Sequence, residues 1–253
     1  NPVSTLSGKK PEMREVTNWY FKLDQFHDRL VEWVESLKQS PDSRNFVIRS
    51  IQEFLEPPVI HVKREQMDIL QTLQAQLPQY TLYDEANKPS VIMIFDTVAE
   101  REKACAILTE HKIRYRTGKT LVPFRLTGNI EWGVPAPVIE GLADLTVWVW
   151  PESLWAPISF TKTCLELRHR DPETWKDWWC SKDAQVYQFI GEDNVYFYGP
   201  VEMSLWMALQ SISPSVDPPE GEIQLPKLIV NNHILFLDKK ASSSGAVKPP
   251  TAE

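Results

Sequence analysis

Apolar residues recur at intervals of three and four in two runs within residues 17–55, on either side of the polar stretch SLKQSPDSRN. The first run comprises Phe26, Leu30, Trp33, Val34 and Leu37, and the second comprises Phe46, Ile48, Ile51, Phe54 and Leu55. This spacing places each run on one face of a helix. The pattern therefore predicts two amphipathic helices packed as a hairpin, with Pro41 and Asp42 in the turn between them.

The spacing of hydrophobic residues changes after Pro57-Pro58, a pair that cannot continue a helix. Short β-rich runs then alternate with helical ones, in the order VIHV, REQMDILQTLQAQL, YTLYDE, SVIMIFD, VAEREKACAILTEH and IRYRTG, with TLVPF as a further strand. The order β-α-β-β-α-β is that of a split βαβ, or ferredoxin-like, module. We therefore predict an inserted ferredoxin-like subdomain at 57–124, between a helical segment at 1–56 and a remainder at 125–253.

Residues 125–253 carry a pattern typical of parallel α/β structure. DLTVWVWPESLW predicts a buried strand followed by a turn, and AQVYQFI predicts a strand that stops at Gly191. NVYFYGPVEMSLWMALQS has a helical pattern whose first turn should be disturbed by Gly199-Pro200. KLIVNNHILFL predicts one or two strands, so that strand, helix and strand follow one another from about 145 to 230.

Composition narrows the classes of function. The chain is 42% hydrophobic and 24% charged, which is typical of a globular protein. Its net charge of -7 argues against a dedicated basic clamp for nucleic acid, though not against a local basic patch. The three cysteines form no CxxC pair, so we expect no zinc site and the reduced thiols of a cytoplasmic protein. No apolar run reaches about 18 residues, which argues against a membrane span.

Five stretches occur in an order known from one enzyme family. They are SGKKPEMREVTNWYFKLDQFHDRLVEW, RLTGNIEWGVPAP, LWAPISF, YQFIGEDNVYFYG and LIVNNHILFLDKKASSSGAVKPP. The second contains five residues of the pattern S-R-x-x-x-W-G-x-P-x-P, namely Arg125, Trp132, Gly133, Pro135 and Pro137. Over roughly 1–55 and 121–253 the chain resembles a class I aminoacyl-tRNA synthetase of the methionyl type. The resemblance implies the C-terminal half of a Rossmann-type α/β catalytic domain with a helical connective segment, and it leaves the insert unexplained.

The resemblance also implies a chemistry. Enzymes of this family form an aminoacyl-adenylate from an amino acid and ATP, bound with Mg²⁺, and then transfer the aminoacyl group to tRNA. The last stretch aligns with the K-M-S-K-S loop, which makes Lys240 a catalytic cation and places Ser243 where the family has its main catalytic lysine. A serine supplies no cation there. The other ATP-binding residues implied by the resemblance are Gly191, Asp193, Asn231, Ser242 and Ser244.

The amino-acid pocket departs further from the family. The residues that the resemblance places in it are Ala156, Pro157, Phe160, Tyr198 and Glu202. Phe160 replaces a family tyrosine, Tyr198 a histidine and Glu202 a tryptophan. Methionine recognition relies on an apolar wall, and a carboxylate in such a wall is costly. The specificity therefore stays open between methionine and a related amino acid.

Half of the active site has no counterpart in the sequence. No H-I-G-H-like pair occurs, because NHIL at 232–235 falls on the wrong side of the site. We expect the missing N-terminal Rossmann half to lie upstream of Asn1, in a longer protein from which this chain is cut, and we do not expect the chain to aminoacylate alone. The alternative is a catalytically silent relative of the synthetases that binds RNA, an amino acid or a protein.

Three interpretations of the insert remain open. An RNA-binding sheet of this topology exposes aromatic residues, but the third predicted strand offers only Phe95 and the first offers His61. Binding of a small amino acid and a packing or tRNA-positioning spacer are the other two. Alternation along HKIRYRTGK predicts Arg114 and Arg116 on one strand face, a modest basic strip that is able to meet phosphate.

Overall fold

The structure is a computed structural model, and it describes residues 3, 8, 10, 15–233, 235–237 and 239–240. Its α-helices are α1 (His27–Lys38), α2 (Asn45–Leu55), α3 (Met67–Thr72), α4 (Val98–Glu110), α5 (Val149–Leu167), α6 (Lys176–Trp179) and α7 (Glu202–Ala208). Its longer strands are β2 (Val59–Lys63), β3 (Thr81–Tyr83), β4 (Ser90–Ile94), β5 (Tyr115–Thr117), β9 (Tyr187–Gly191) and β10 (Lys227–Asn231). Two-residue strands complete it: β1 (Tyr20–Phe21), β6 (Phe124–Arg125), β7 (Thr127–Gly128), β8 (Thr146–Val147), β11 (Leu235–Phe236) and β12 (Lys239–Lys240).

The predicted helical hairpin is confirmed from α1 to α2, but the helical prediction is wrong for residues 17–22. There, β1 pairs antiparallel with β6, so the two ends of the intervening stretch 22–123 meet in one small ribbon. The same pairing limits the predicted strand TLVPF to Phe124 and the residue after it. Pro123 precedes this strand and has no N–H to donate to a ladder.

A four-stranded sheet forms between the helical hairpin and the rest of the chain. Its order is β3-β4-β2-β5, and every neighbouring pair is antiparallel. Alternate residues of the central strands are buried against α3 and α4 on one face only. The cluster on that face contains Ile60, Val62, Leu70, Leu73, Leu77, Val91, Met93, Phe95, Ala104, Cys105, Leu108 and Ile113. Thr97 begins α4 with a capping box, because its side chain and that of Glu100 each bond the other's backbone N–H.

The predicted parallel α/β structure is confirmed by β9 and β10. The two strands pair in parallel over five residues, from Lys227 opposite Tyr187 to Asn231 opposite Gly191. Between them the chain forms the predicted disturbed helix. A π-helical turn at Phe197–Val201 precedes α7, because Pro200 has no N–H to continue the regular α-helical ladder.

The predicted buried strand in DLTVWVWPESLW is wrong beyond its first residues. Only β8 is extended, paired with β7, and α5 then runs for 19 residues. Trp148 is the extended N-cap, and Pro151 lies in the first turn, where no N–H is needed. The ring of Trp150 stacks on Phe197 with centroids 3.6 Å apart, which holds the helix against the π-helical turn.

The largest core joins the helical hairpin to the parallel pair. Leu30, Trp33 and Ile51 of the hairpin pack in the same cluster as Val230 of β10 and residues of α7. Arg44 adds a hydrogen bond of 3.0 Å from Nη1 to the carbonyl of Val230. None of the helices in the described part of the chain combines the length and apolar character needed to cross a lipid bilayer.

Ile51→Ala should lower the free energy of unfolding by about 2 to 5 kcal/mol, because Ile51 is fully buried in this core and the shorter side chain leaves a cavity. Urea denaturation measures the change. Ile69→Ala is the matched control: the same side chain, also in a helix, is 49% exposed. Equal losses in the two variants contradict the shared core.

Candidate functional site

Three of the residues predicted to bind ATP come together at one edge of the parallel pair. Gly191 and Asn231 are the last residues of β9 and β10 and lie directly opposite each other. Asp193 follows in the 3₁₀ turn Glu192–Asn194, with its side chain half-exposed. The carboxyl ends of parallel strands are where ligands bind in open α/β sheets. The structure thus brings Gly191, Asn231 and Asp193 together at the carboxyl edge of the pair.

Gly191 leaves room that another residue would fill. A Cβ atom built on Gly191 lies 2.8 Å from Oδ1 of Asp193, closer than a Cβ atom normally approaches another heavy atom in proteins. The glycine therefore lets the Asp193 carboxylate fold back over the end of β9. A larger residue at position 191 would push this carboxylate away from the strand end.

His233 joins this edge, although none of the quoted sequence motifs predicts it there. Its Nε2 lies 3.7 Å from Oε1 of Glu192 and 4.0 Å from Oδ2 of Asp193. Its backbone N–H donates to Oε1 of Glu192 at 3.4 Å. A signal for this position was available, because His233 stands two residues beyond Asn231 just as Asp193 stands two residues beyond Gly191. Equal offsets from paired strand ends bring side chains to the same edge.

The predicted phosphate loop begins close to the same edge. β11 and β12 form an antiparallel hairpin in which Leu235 pairs with Lys240 and Phe236 with Lys239. Leu237, in the turn, has a φ of 50°. For Lys240 the structure gives the backbone position at the end of this hairpin. Ser242, Ser243 and Ser244 lie outside the described residues.

The residues predicted for the amino-acid pocket occupy three elements. Ala156, Pro157 and Phe160 lie on α5, Tyr198 in the π-helical turn and Glu202 at the start of α7. Phe160 is 70% exposed and borders a cavity of about 600 Å³ between α5 and β9. Neither Tyr198 nor Glu202 lines that cavity. The arrangement thus brings Tyr198 and Glu202 together and leaves Phe160 on a different surface.

Glu202 is a buried carboxyl group held by an amide. It has no solvent exposure, and Nε2 of Gln188 on β9 donates to its Oε1 at 2.9 Å. Burial raises the pKa of Glu202 to about 8, while the hydrogen bond from Gln188 opposes part of that rise. Burial and the neighbouring Glu202 also raise the pKa of Tyr198. Near neutral pH the Glu202 side chain is therefore mostly protonated, and a neutral carboxyl group is compatible with an apolar wall.

A sequence model of the family described as "tRNA synthetases class I (M)" matches residues 1–67 and 97–248. The chain belongs to this family. It is 24% identical to the Methionine--tRNA ligase of Saccharolobus solfataricus over 245 residues, which are 96% of this chain and 29% of that protein. It is 34% identical to the Methionine--tRNA ligase of Corynebacterium kroppenstedtii over 139 residues, covering 51% of this chain and 22% of the relative. The predicted resemblance to the methionyl type is confirmed.

The Methionine--tRNA ligase of Aeropyrum pernix is a third relative, 24% identical over 208 residues, which are 82% of this chain and 25% of that protein. The chain therefore spans less than a third of the length of these relatives. Within the chain, the family model omits residues 68–96. The omitted segment holds most of α3 and all of β3 and β4, so it lies inside the four-stranded sheet.

Glu202→Gln should remove a pH dependence of stability. The pKa of Glu202 is higher in the folded chain than its ordinary 4.5, so the folded state binds the proton more tightly and loses stability as the pH rises from about 5 to above 8. The loss amounts to about 3 to 5 kcal/mol, at about 1.4 kcal/mol per pKa unit. Urea denaturation across this pH range measures it, and the variant should be the more stable protein at the alkaline end.

Glu222→Gln is the control for that experiment. Glu222 is an exposed carboxylate whose pKa is lowered by hydrogen bonds from Ser211, so it titrates below the range in question. Glu222→Gln should leave the change of unfolding free energy with pH the same as in the wild-type chain. Parallel curves for the wild-type chain and Glu202→Gln would show that Glu202 is not the titrating group.

Proposed function

We propose that this chain is part of an ATP-dependent, methionyl-type aminoacyl-tRNA ligase of the cytoplasm and supplies the second half of its catalytic domain. One observation carries the proposal: the pairing of β9 with β10 places Gly191, Asp193 and Asn231 at one carboxyl edge, just before the hairpin that ends at Lys240. Membership of the class I synthetase family supports it. The similarity to relatives named Methionine--tRNA ligase supports it as well.

The edge suits the nucleoside part of ATP. Gly191 presents backbone without a side chain, which permits close approach of an adenosine, and the Asp193 carboxylate is positioned to accept hydrogen bonds from ribose hydroxyls. Asn231 offers an amide to the same ligand. Lys240, with Ser242 and Ser244 after it, would bind the triphosphate, as a point charge and as hydroxyl donors respectively. Mg²⁺ bound with ATP would offset the negative charge that develops on the phosphates.

The buried pair of Glu202 and Gln188 bears on the amino acid. In the proposed enzyme Ala156, Pro157, Phe160, Tyr198 and Glu202 are the candidate residues of the pocket. The raised pKa of Glu202 removes the objection that a carboxylate would border an apolar side chain. A neutral Glu202 next to Tyr198 is compatible with methionine or a relative of similar polarity.

An uncovered sheet face supports the need for a further half of the domain. Parallel sheets are covered on both faces in most proteins. Here Gln188 and Ile190 of β9 face inward, whereas Phe189 is 71% exposed on the opposite face, next to the exposed Tyr187. We propose that the N-terminal Rossmann half of the parent protein covers this face. The chain alone would then lack part of its catalytic site.

The proposed domain organisation rests on which segments share a core and on the strand order of the four-stranded sheet. Residues 1–56 form a connective segment and 125–253 the second half of the catalytic domain, and these two share the largest core. Residues 57–124 form the insert, whose strand order and antiparallel sense support a ferredoxin-like subdomain. The tRNA would be the partner of the whole protein.

A catalytically silent relative is the second candidate function, and Ser243 is the observation that favours it. The family's main catalytic lysine stands at this position, and a serine cannot stabilise charge on the triphosphate as a cation. Such a protein would keep binding surfaces for RNA, an amino acid or a protein without forming the adenylate.

The proposed enzyme is tested by ATP–pyrophosphate exchange with methionine. We expect exchange from the full-length parent protein and none from the 253-residue chain alone. Lys240→Ala in the full-length protein should lower the exchange rate about 100-fold or more, because one stabilising charge is removed from the transition state.

Lys227→Ala is the control, since Lys227 stands at the opposite end of β10 and contacts the ring of Tyr187. It should exchange at the wild-type rate. Robust exchange by the isolated chain would contradict the need for a second half. A full-length protein that binds ATP and methionine without any exchange would favour the silent relative.

A further inference from the structure

The four-stranded sheet has one face that the helices leave open. Because directly opposed residues share a face, the strand register identifies its members. One row crosses all four strands: Arg116 lies opposite His61, His61 opposite Ile92, and Ile92 opposite Tyr83. On either side of it lie Val59, Ile94 and Thr81, and Lys63 and Ser90.

This open face is accessible. Tyr83 is 52% exposed at one edge, and Arg116 is exposed at the other. His61 and Ile92, in the middle of the row, are half-buried, and neither belongs to the cluster that α3 and α4 cover. On each of these two strands, the residues immediately before and after point to the covered face and are buried.

The charges of the open face have one sign. Lys63 and Arg116 project from it, and Arg114, one residue before β5, is exposed and shares its face by alternation. Within the described strands no acidic residue belongs to this face. Burial and the nearby Arg116 lower the pKa of His61, so its imidazole is neutral near pH 7. In a chain of net charge -7, this is a local basic surface.

Two acidic residues border this face, and both are paired. Oε1 of Glu65 lies 3.5 Å from Nζ of Lys63, an exposed ion pair that a phosphate would have to displace. Asp84 follows Tyr83, and its carboxylate accepts two hydrogen bonds from the guanidinium of Arg64, at 2.5 and 3.2 Å. The same guanidinium donates to the carbonyl oxygens of Lys88 and Glu85, which fixes the turn between β3 and β4. Tyr83 is thus held at the edge of the sheet beside a neutralised carboxylate.

We propose that the open face binds single-stranded RNA. Tyr83 offers a phenol ring on which a base can stack, and neutral His61 a second ring that also forms hydrogen bonds. Lys63 on β2 and Arg114 and Arg116 at the neighbouring edge strand offer cations to the phosphates. An apolar protein partner fits less well, because basic side chains flank the apolar residues Val59, Ile92 and Ile94. The proposal does not depend on the chemistry proposed for Lys240 and Gly191.

Fluorescence anisotropy of a labelled, unstructured oligoribonucleotide with the 253-residue chain tests this proposal. We expect binding whose logarithmic salt slope is about -2, since about three phosphates are contacted at about -0.7 each. Arg116→Glu should weaken binding at least about tenfold and reduce the magnitude of the slope by about 0.7, the share of one phosphate contact. Tyr83→Ala should weaken binding while leaving the slope unchanged, because it removes stacking and no charge.

Lys103→Glu is the matched control. Lys103 is exposed on α4, on the helical side of the sheet, and the variant makes the same change of charge without touching the open face. It should bind like the wild-type chain. Circular dichroism confirms that each variant is folded.

Three outcomes would overturn the proposal. The first is an absence of RNA binding by the wild-type chain at low salt. The second is an equal loss of binding in Arg116→Glu and Lys103→Glu, which would mean general attraction to cations. The third is equal competition by an acidic peptide, which would assign the face to a protein. None of these depends on pyrophosphate exchange, so failure here is distinct from failure of the proposed ligase.

Discussion

The register between β9 and β10 is the constraint on which the candidate site depends. Leu228 and Val230 must face the core shared with α1 and α2, and this requirement fixes β10 to within a residue. A slip by one residue would turn these side chains to the opposite face and separate Asn231 from Gly191. The hydrogen bond from Arg44 to the carbonyl of Val230 adds a polar restraint on the same strand. Packing far from the edge thus determines which polar groups meet there.

The parts of this site that were predictable are those with a local signal. The end of β9 at Gly191 and the disturbed helix at Gly199-Pro200 each follow from residues that terminate or interrupt regular structure. At the start of α5 the local sequence was misleading, because its aromatic and β-branched residues favour a strand where the structure has a helix. Its helical form comes from Pro151 in the first turn and from the stacking of Trp150 on Phe197, a contact made across the fold.

Other features depend on burial and on register, which one sequence does not supply. From the sequence alone, Glu202 counts as an ionised residue. Only its burial, next to Gln188, raises its pKa enough to make it mostly neutral near pH 7. His233 is similar, since its place beside Glu192 and Asp193 follows from the pairing of two strands about 40 residues apart. The glutamate proposed for the amino-acid pocket is therefore a mostly neutral group near pH 7 in the folded chain.

Residues 68–96 show that a segment outside the family pattern can complete a sheet that the matched residues begin. The family model matches β2 and β5 but omits β4, which lies between β2 and β3 in the sheet. Removing residues 68–96 would leave β2 paired on one side only and would expose Ile60 and Val62, since Val91 and Met93 pack in the same cluster. The open face has the same composite origin, because His61 and Arg116 come from matched segments and Tyr83 from the omitted one. Any function of that face therefore belongs to the combination, and neither part carries it alone.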